Sequence, residues 1–205
     1  MKVKKKWSNS FMSDIQVEVT YFRQGGPKNT DTSLKIAKKY ADEFSIKDII
    51  IASTTGMTAQ KSLDHISPNE FNIIIMTHSY YFTGIDKRQE FPEELMNELR
   101  EKGLKIFSMT HALGAVSRSF RLALNQWMPV EVMAKYLRQN FCQGVKVCME
   151  IAAMAADAGL ILDINRDAIC VAGTGRGADT VCLIKPMPTG TFDKLRVKAI
   201  LAKPL

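Results

Sequence analysis

A short turn between an apolar segment and a helical pattern carries the clearest chemical signal in this sequence. Its residues are Ser53, Thr54, Thr55, Gly56, Met57 and Thr58, directly after the apolar residues 49–52. Hydroxyl groups and the free amides at the start of a helix favour an anion, and a glycine lets the backbone approach a ligand closely. We therefore predict that this turn binds a phosphate group. The alternative left open by composition is that Thr54 or Thr55 only caps the helix.

A second loop has three glycines within five residues, between the apolar segments 167–172 and 180–184. The loop consists of Gly173, Thr174, Gly175, Arg176, Gly177, Ala178, Asp179 and Thr180. Arg176 offers a planar fork to an anion, and Asp179 can accept a hydrogen bond from a ribityl or ribose hydroxyl. The glycine-rich fingerprint of dinucleotide-binding proteins is followed by a helix, whereas this loop is followed by a strand, so it is not that fingerprint. We predict that the loop contacts a ligand; the alternative is a flexible hairpin turn.

Two histidines are predicted at the same edge of the sheet as the turn. Thr77 ends the apolar segment 72–77, His78 follows it, and His111 follows the segment 104–109. Open α/β sheets bind ligands at the carboxyl ends of their strands, so we expect all three residues to surround the ligand. Each histidine can transfer protons or donate hydrogen bonds to the ligand, or have a structural role. They lack the third ligand and the carboxylate spacing of a metal site.

Glu150 and Asp157 lie seven residues apart and are predicted to share one face of a buried helix. Buried carboxylates are costly unless they are paired. We expect them to accept hydrogen bonds from loop amides or to pair with basic side chains; a part in catalysis is the alternative.

The elements that position these residues alternate between strand and helix. Predicted strands cover 14–22, 47–52, 72–77, 104–109, 167–172 and 180–184, with 196–201 as an edge strand. Predicted helices cover about 30–44, 58–66, 92–101, 116–124, 129–140 and 145–158, with Gly144 separating the last two. Continuous apolar strands between helices are typical of a doubly wound α/β fold with a mostly parallel sheet.

Several of these motifs resemble a known family. The segment DIIIASTTGMTAQKSLDHISPNEFNIIIMTHS resembles the strand, turn, helix and strand of the pyruvate kinase carboxyl-terminal domain. The segments YFRQGGPKNTDTSLKIA, THALG, GVKVCMEIAAMAADAGLI and GTGRGADTVCLIKP extend the likeness to a family of stand-alone proteins similar to that domain. The likeness covers residues 17–204.

This resemblance implies a phosphorylated ligand, with flavin mononucleotide (FMN) as the expected one, and it favours a homo-oligomer. It implies no phosphotransfer, because pyruvate kinase chemistry resides in a separate barrel domain. Family members largely lack an assigned activity, so two further classes stay open. One is a flavin-dependent or acid/base enzyme acting on a small metabolite, and the other is a non-catalytic sensor of a phosphorylated metabolite.

Composition places the chain among ordinary globular proteins, with 205 residues of which 46% are hydrophobic and 24% charged. Residues 1–14 contain four lysines and one acidic residue, Asp14, and therefore contribute +3 of the net charge of +7. We expect this stretch to be a disordered extension; the alternative is that it contacts an acidic surface or nucleic acid. We expect residues 15–205 to form one α/β domain. No apolar run is long enough to span a membrane, and Cys142, Cys148, Cys170 and Cys182 form no CxxC pair. The expected location is the cytoplasm, with buried, reduced thiols.

Overall fold

The computed structural model of the protein describes residues 14–205. The predicted amino-terminal extension therefore lies outside the described residues, apart from Asp14. In chain order the elements are β1 (Thr20–Phe22), α1 (Thr30–Glu43), β2 (Asp48–Ala52), α2 (Met57–Ser62), β3 (Asn72–His78), α3 (Glu93–Glu101), β4 (Lys105–Met109), α4 (Ala115–Leu124), α5 (Pro129–Asn140), α6 (Gln143–Asp157), β5 (Ala168–Ala172), β6 (Thr180–Lys185) and β7 (Arg196–Pro204).

Within the described residues the strands form one seven-stranded sheet in the order β1-β7-β6-β5-β2-β3-β4. Strands β2, β3, β4 and β5 are mutually parallel, and β1 is parallel to β7. Strand β6 is antiparallel to both of its neighbours. The carboxyl ends of β2, β3, β4 and β5 therefore lie at one edge of the sheet, where the hairpin from β5 into β6 also turns.

Helices cover both faces of the sheet, as the continuous apolar strands predicted. On β2, Ile49 and Ile51 pack on the face covered by α1, α2 and α3, whereas Ile50 packs on the face covered by α6. All three isoleucines are fully buried. Each contributes roughly 1.5–3 kcal/mol of hydrophobic stabilisation. The prediction of an α/β fold with a mostly parallel sheet between helices is confirmed.

Three local predictions were wrong. Strand β7 is an interior strand, because β1 pairs outside it with Thr20 opposite Ala202. The first strand covers only Thr20–Phe22, since the Tyr40 hydroxyl bonds the backbone N–H and C=O of Glu18 at 3.0 and 2.9 Å. Gly144 does not separate α5 from α6 but lies inside α6. A side chain there would overlap Thr180, whose Cβ lies 2.3 Å from the ideal Cβ position.

Among residues 14–205, no helix combines the length and the apolar character needed to cross a membrane.

Candidate functional site

A cavity of about 700 Å³ lies at the carboxyl edge of the sheet, between the turn of residues 53–58, the hairpin of residues 173–179 and helices α4 to α6. Its size falls within the roughly 300–1,000 Å³ typical of small-molecule sites. The predicted site residues on its wall are Ser53, Thr54, Thr58, Thr77, His78, His111, Gly173, Thr174, Gly175, Arg176 and Gly177. Those away from its wall are Thr55, Gly56, Met57, Ala178, Asp179 and Thr180.

The turn presents hydroxyl groups to one side of this cavity. The N-cap residue of α2 is Gly56, so neither Thr54 nor Thr55 caps the helix, and the Ser53 hydroxyl accepts a hydrogen bond from the Ala59 amide in its first turn at 3.2 Å. Thr54 and Thr58 line the cavity, and their hydroxyls bond to none of the residues 14–205. Gly56 has φ 91°, and its ideal Cβ position lies 2.6 Å from the Phe91 ring, so the turn and its packing require a glycine there.

Thr77 and His78 carry the only buried side-chain N or O atoms among residues 14–205 that have no hydrogen-bond partner. These atoms are the Thr77 Oγ1 and both ring nitrogens of His78; the two residues are 3% and 6% exposed. An unpartnered buried polar atom is costly. Both residues line the cavity, so a bound molecule can supply the missing partners.

Successive residues of a strand point to opposite faces of the sheet. Ile75 packs on the face of α1 to α3 and Met76 on the face of α6, so Thr77 points to the first face and His78 to the second. The cavity therefore extends across the end of the sheet. Its α2 side is lined by hydroxyls, and its α6 side by the histidines.

The carboxylate of Glu90 lies next to His78 on that second side. Oε2 of Glu90 is 3.4 Å from Nε2 of His78, without forming a hydrogen bond, and the Glu90 side chain is only 5% exposed. Oε1 accepts a hydrogen bond from Arg176 at 2.5 Å. Burial lowers the pKa of His78, and the Glu90 charge opposes that shift. His78 is therefore neutral near pH 7 and has a carboxylate in place to stabilise its protonated form.

His111 is the second member of what we call the histidine pair, His78 and His111. Their ring centroids are 6.4 Å apart and the rings nearly parallel. The ring of Phe82 packs edge-on against both, at 4.9 Å from His78 and 4.5 Å from His111. Burial also lowers the pKa of His111. The guanidinium of Arg118 lies over the Phe82 ring, 4.8 Å from its centroid.

Lys146 and Glu150 form a buried ion pair on the α6 wall. Glu150 also accepts a hydrogen bond from the Leu113 amide at 2.9 Å, and Asp157 accepts one from the Thr189 amide at 2.9 Å. The expectation that both carboxylates receive loop amides or basic partners is confirmed, although Asp157 is exposed, not buried. Burial lowers the pKa of Lys146.

The charges around the cavity favour an anion. Each carboxylate on the wall is paired with a cation, in the pairs Glu90–Arg176, Glu131–Arg121 and Glu150–Lys146. Two further cations on the wall, Arg118 and Arg138, make no ion pair with any carboxylate of residues 14–205. With neutral histidines, the wall carries an excess of positive charge.

The predicted glycine loop is a hairpin held by its own chain. Oδ2 of Asp179 accepts hydrogen bonds from the amides of Gly26 at 2.7 Å and Thr174 at 3.2 Å, and Oδ1 accepts one from the Thr180 hydroxyl at 2.8 Å. Asp179 is fully buried. Its oxygens therefore fix the hairpin, while Arg176, with φ 66°, reaches across the cavity to Glu90.

Sequence reasoning missed Glu90, Phe82, Arg118, Arg138 and Lys146. Glu90 and Phe82 belong to the irregular segment between β3 and α3, where no periodicity indicates which side chains turn inward. Lys146 sits on a helix that is apolar almost all round, and a lysine at such a position was a usable signal, because a buried lysine requires a partner.

The four cysteines are free thiols. Cys148, Cys170 and Cys182 are fully buried, and burial raises the pKa of Cys148 and Cys170, which keeps both protonated. Cys142 is half-buried and caps α6 by accepting the Val145 amide at 3.4 Å. No group of three or more histidine, cysteine or acidic side chains in residues 14–205 is arranged to hold a metal ion.

A comparison with models of known protein families finds none that matches this chain.

Proposed function

We propose that this protein binds a phosphorylated ligand, with FMN as the specific candidate, in the cavity at the carboxyl edge of the sheet. The observation that carries the proposal is the set of unpartnered buried atoms of Thr77 and His78 on the wall of a cavity with excess positive charge. Such atoms are rare in folded proteins, and their cost is removed when a ligand satisfies them.

The phosphate belongs on the α2 side of the cavity. There the free hydroxyls of Thr54 and Thr58 and the unpartnered hydroxyl of Thr77 lie on one side of the sheet edge. Helix α2 has only six residues, so its dipole adds little and the hydroxyls and local amides supply the binding. Hydrogen bonds to a charged group contribute about 1.5–3 kcal/mol each.

FMN fits the remainder of the cavity by size and by chemistry. The volume of about 700 Å³ accepts a mononucleotide, and the flat faces of the histidine pair and Phe82 suit a planar ring. The resemblance of residues 17–204 to the stand-alone pyruvate kinase carboxyl-terminal-like proteins supports the same ligand.

The first test is the visible spectrum of the purified protein and of the supernatant after denaturation. We expect a flavin spectrum, or saturable binding of added FMN. A colourless protein that also fails to bind FMN would contradict the proposal.

The position of the phosphate is tested by comparing FMN with riboflavin, which lacks it. We expect Thr58→Val to weaken FMN binding by roughly tenfold or more, the loss of one charge-assisted hydrogen bond, and to leave riboflavin binding unchanged. Thr55→Val is the matched control, because Thr55 lies beside the cavity but not on its wall. Equal losses of FMN and riboflavin affinity in Thr58→Val would place the phosphate elsewhere.

We further propose a homo-oligomer formed through α4. Val116, Phe120, Leu122 and Leu124 are between 42% and 69% exposed, and no residue of α4 whose burial is described is buried. A helix whose large apolar side chains are exposed to solvent is typical of an interaction surface. Sedimentation of the full chain tests this: Leu124→Asp, on the same face of the helix as Val116 and Phe120, should lower the mass of the assembly, whereas Leu162→Asp, at a similarly exposed leucine elsewhere, should not.

A regulatory sensor of a phosphorylated metabolite would use the same surface. Since Arg118 and Arg121 of α4 line the cavity, a ligand there contacts the helix that forms the proposed interface. A change in sedimentation on adding FMN, without turnover, would favour the sensor.

A further inference from the structure

We infer that the α6 side of the cavity is an acid/base site, in which His78 exchanges protons with a 2-oxo acid. This inference rests on the proposed function only in using the same cavity. FMN takes no part in the step, and because its ring is assigned to the same histidine pair, it competes with the acid. It assigns an activity, and it gives roles to Glu90, His111 and Arg118.

His78 has the features of a general base. It is neutral at pH 7, and neither ring nitrogen has a hydrogen-bond partner among residues 14–205. The buried Glu90 carboxylate, 3.4 Å from Nε2, stabilises the imidazolium that forms when a proton is taken up. Glu90 is itself held by Arg176, so the carboxylate is positioned before the substrate arrives. A neutral imidazole beside a carboxylate that stabilises its protonated form is suited to act as a general base.

His111 supplies the complementary electrophile. Its pKa is lowered by burial, so it is also a neutral imidazole, and its ring faces that of His78 at 6.4 Å. A neutral imidazole can donate its N–H to a carbonyl oxygen and stabilise negative charge that develops there. The Phe82 ring packs edge-on beside both imidazoles, at 4.9 and 4.5 Å, and so borders the place of the substrate.

Arg118 defines the class of substrate. Its guanidinium lies 4.8 Å from the ring of Phe82, which contacts both histidines, and it makes no ion pair within residues 14–205. An arginine in this state binds a carboxylate as a planar fork. A molecule with a carboxylate for Arg118, an adjacent carbonyl for His111 and an acidic C–H for His78 is a 2-oxo acid with hydrogens on C3.

The step is a balanced proton transfer. The C3–H bond breaks, its proton forms an N–H bond on His78, and its electron pair moves into a C2=C3 double bond as the carbonyl becomes an enolate oxygen. His111 donates a hydrogen bond to that oxygen. The reverse step returns a proton to C3, so in D₂O the substrate acquires deuterium, and no oxidant or reductant is consumed.

The experiment follows loss of the C3 proton signals of 2-oxobutyrate, 2-oxoglutarate and phenylpyruvate in D₂O by NMR, with the full-length protein. We expect exchange of at least one of these acids above the buffer rate, lowered by roughly 10²-fold or more in His78→Gln. The control is His65→Gln, since His65 pairs with Asp31 outside the cavity. Arg118→Gln should raise the half-saturating acid concentration more than it lowers the maximal rate.

A pH profile separates catalysis from a structural role. Exchange should fall as pH drops through the lowered pKa of His78, because the protonated base is inactive. The charges that act on this pKa are Glu90, which raises it, and Arg176 and Lys87, which lower it. Glu90→Gln should therefore move the acid limb to lower pH, an effect that a merely structural Glu90 would not produce, and it serves as the second variant if His78→Gln does not fold.

Absence of exchange for all three acids with the folded wild-type protein would overturn the inference, as would undiminished exchange in folded His78→Gln. FMN titration of the same samples keeps the two proposals apart. Exchange without FMN binding contradicts the flavin proposal alone, and FMN binding without exchange contradicts this one alone.

Discussion

Replacing Asp179 should loosen the packing of the hairpin of residues 173–179 against its neighbours and destabilise the whole protein. The fully buried carboxylate accepts three hydrogen bonds, two of them from the backbone amides of Gly26 and Thr174. Asp179→Ala leaves both amides without an acceptor, while the Thr180 hydroxyl can rotate towards another partner. Each stranded amide costs about 1–3 kcal/mol, so we expect a loss near 4 kcal/mol.

That loss is a large share of the roughly 5–15 kcal/mol by which a domain is stable. For a chain of this length, 1 kcal/mol corresponds to roughly 2–4 °C in Tm, so the midpoint should fall by about 10–15 °C. Urea denaturation gives the free energy of unfolding, and calorimetry gives the midpoint.

Asp179→Asn is the matched control. Its amide oxygen can replace Oδ2 and keep both backbone amides, and its NH₂ group faces the Thr180 hydroxyl, which can accept. We expect a loss of only about 1 kcal/mol. If Asp179→Ala unfolds at the wild-type midpoint, the hairpin does not depend on this carboxylate.

Three further predictions concern the buried groups around the cavity. Gly144→Ala should cost about 1–3 kcal/mol in urea unfolding, because its methyl group meets the Thr180 side chain; wild-type stability would mean that α6 can shift. Lys146→Met should cost about 3–5 kcal/mol by leaving the Glu150 charge buried and unpaired, and adding Glu150→Gln, which removes the charge and keeps an acceptor for the Leu113 amide, should restore part of it; no restoration would mean that the cost is not that of the stranded charge. Burial lowers the pKa of both members of the histidine pair below the ordinary value of about 6.5. The unfolded chain therefore binds more protons, and stability should fall as pH drops below about 6.5. Replacing both histidines with glutamine should flatten that dependence, and an unchanged slope would assign it to other groups.

The fold was predictable where the hydrophobic pattern of a single segment indicates which of its side chains are buried. The run Ile49–Ile51 indicated a strand buried on both faces, and the structure divides these residues between two cores. Arg196 and Lys198 lie in the exposed first half of strand β7, and this half has the pattern of an edge strand. Its buried second half is covered by β1, a strand of three residues too short to be predicted with its partner from sequence.

The candidate site was predictable only where it follows strand ends. The turn after β2, the hairpin after β5 and the histidine pair all lie at the predicted edge of the sheet. Glu90 and Arg118 come from a loop and a helix whose positions depend on tertiary packing. The hydrogen bonds of Asp179 could not be predicted either. An aspartate in a loop is suited to a ligand contact, but its carboxylate accepts hydrogen bonds from two amides in distant or irregular segments of the chain.

The side chains of consecutive residues at the end of β3 point to opposite faces of the sheet, which links the two proposals and also allows them to be tested separately. Thr77 and His78 are neighbours in sequence, yet they serve opposite faces of the sheet, the first on the side of the hydroxyl-bearing turn and the second beside Glu90 and His111. Thr77→Val should therefore weaken the binding of FMN relative to riboflavin and leave deuterium exchange of a 2-oxo acid unchanged. His78→Gln should have the opposite pattern. If both variants impair both measurements equally, the cavity works as one undivided site, and the assignment of the phosphate to one face and proton transfer to the other is wrong.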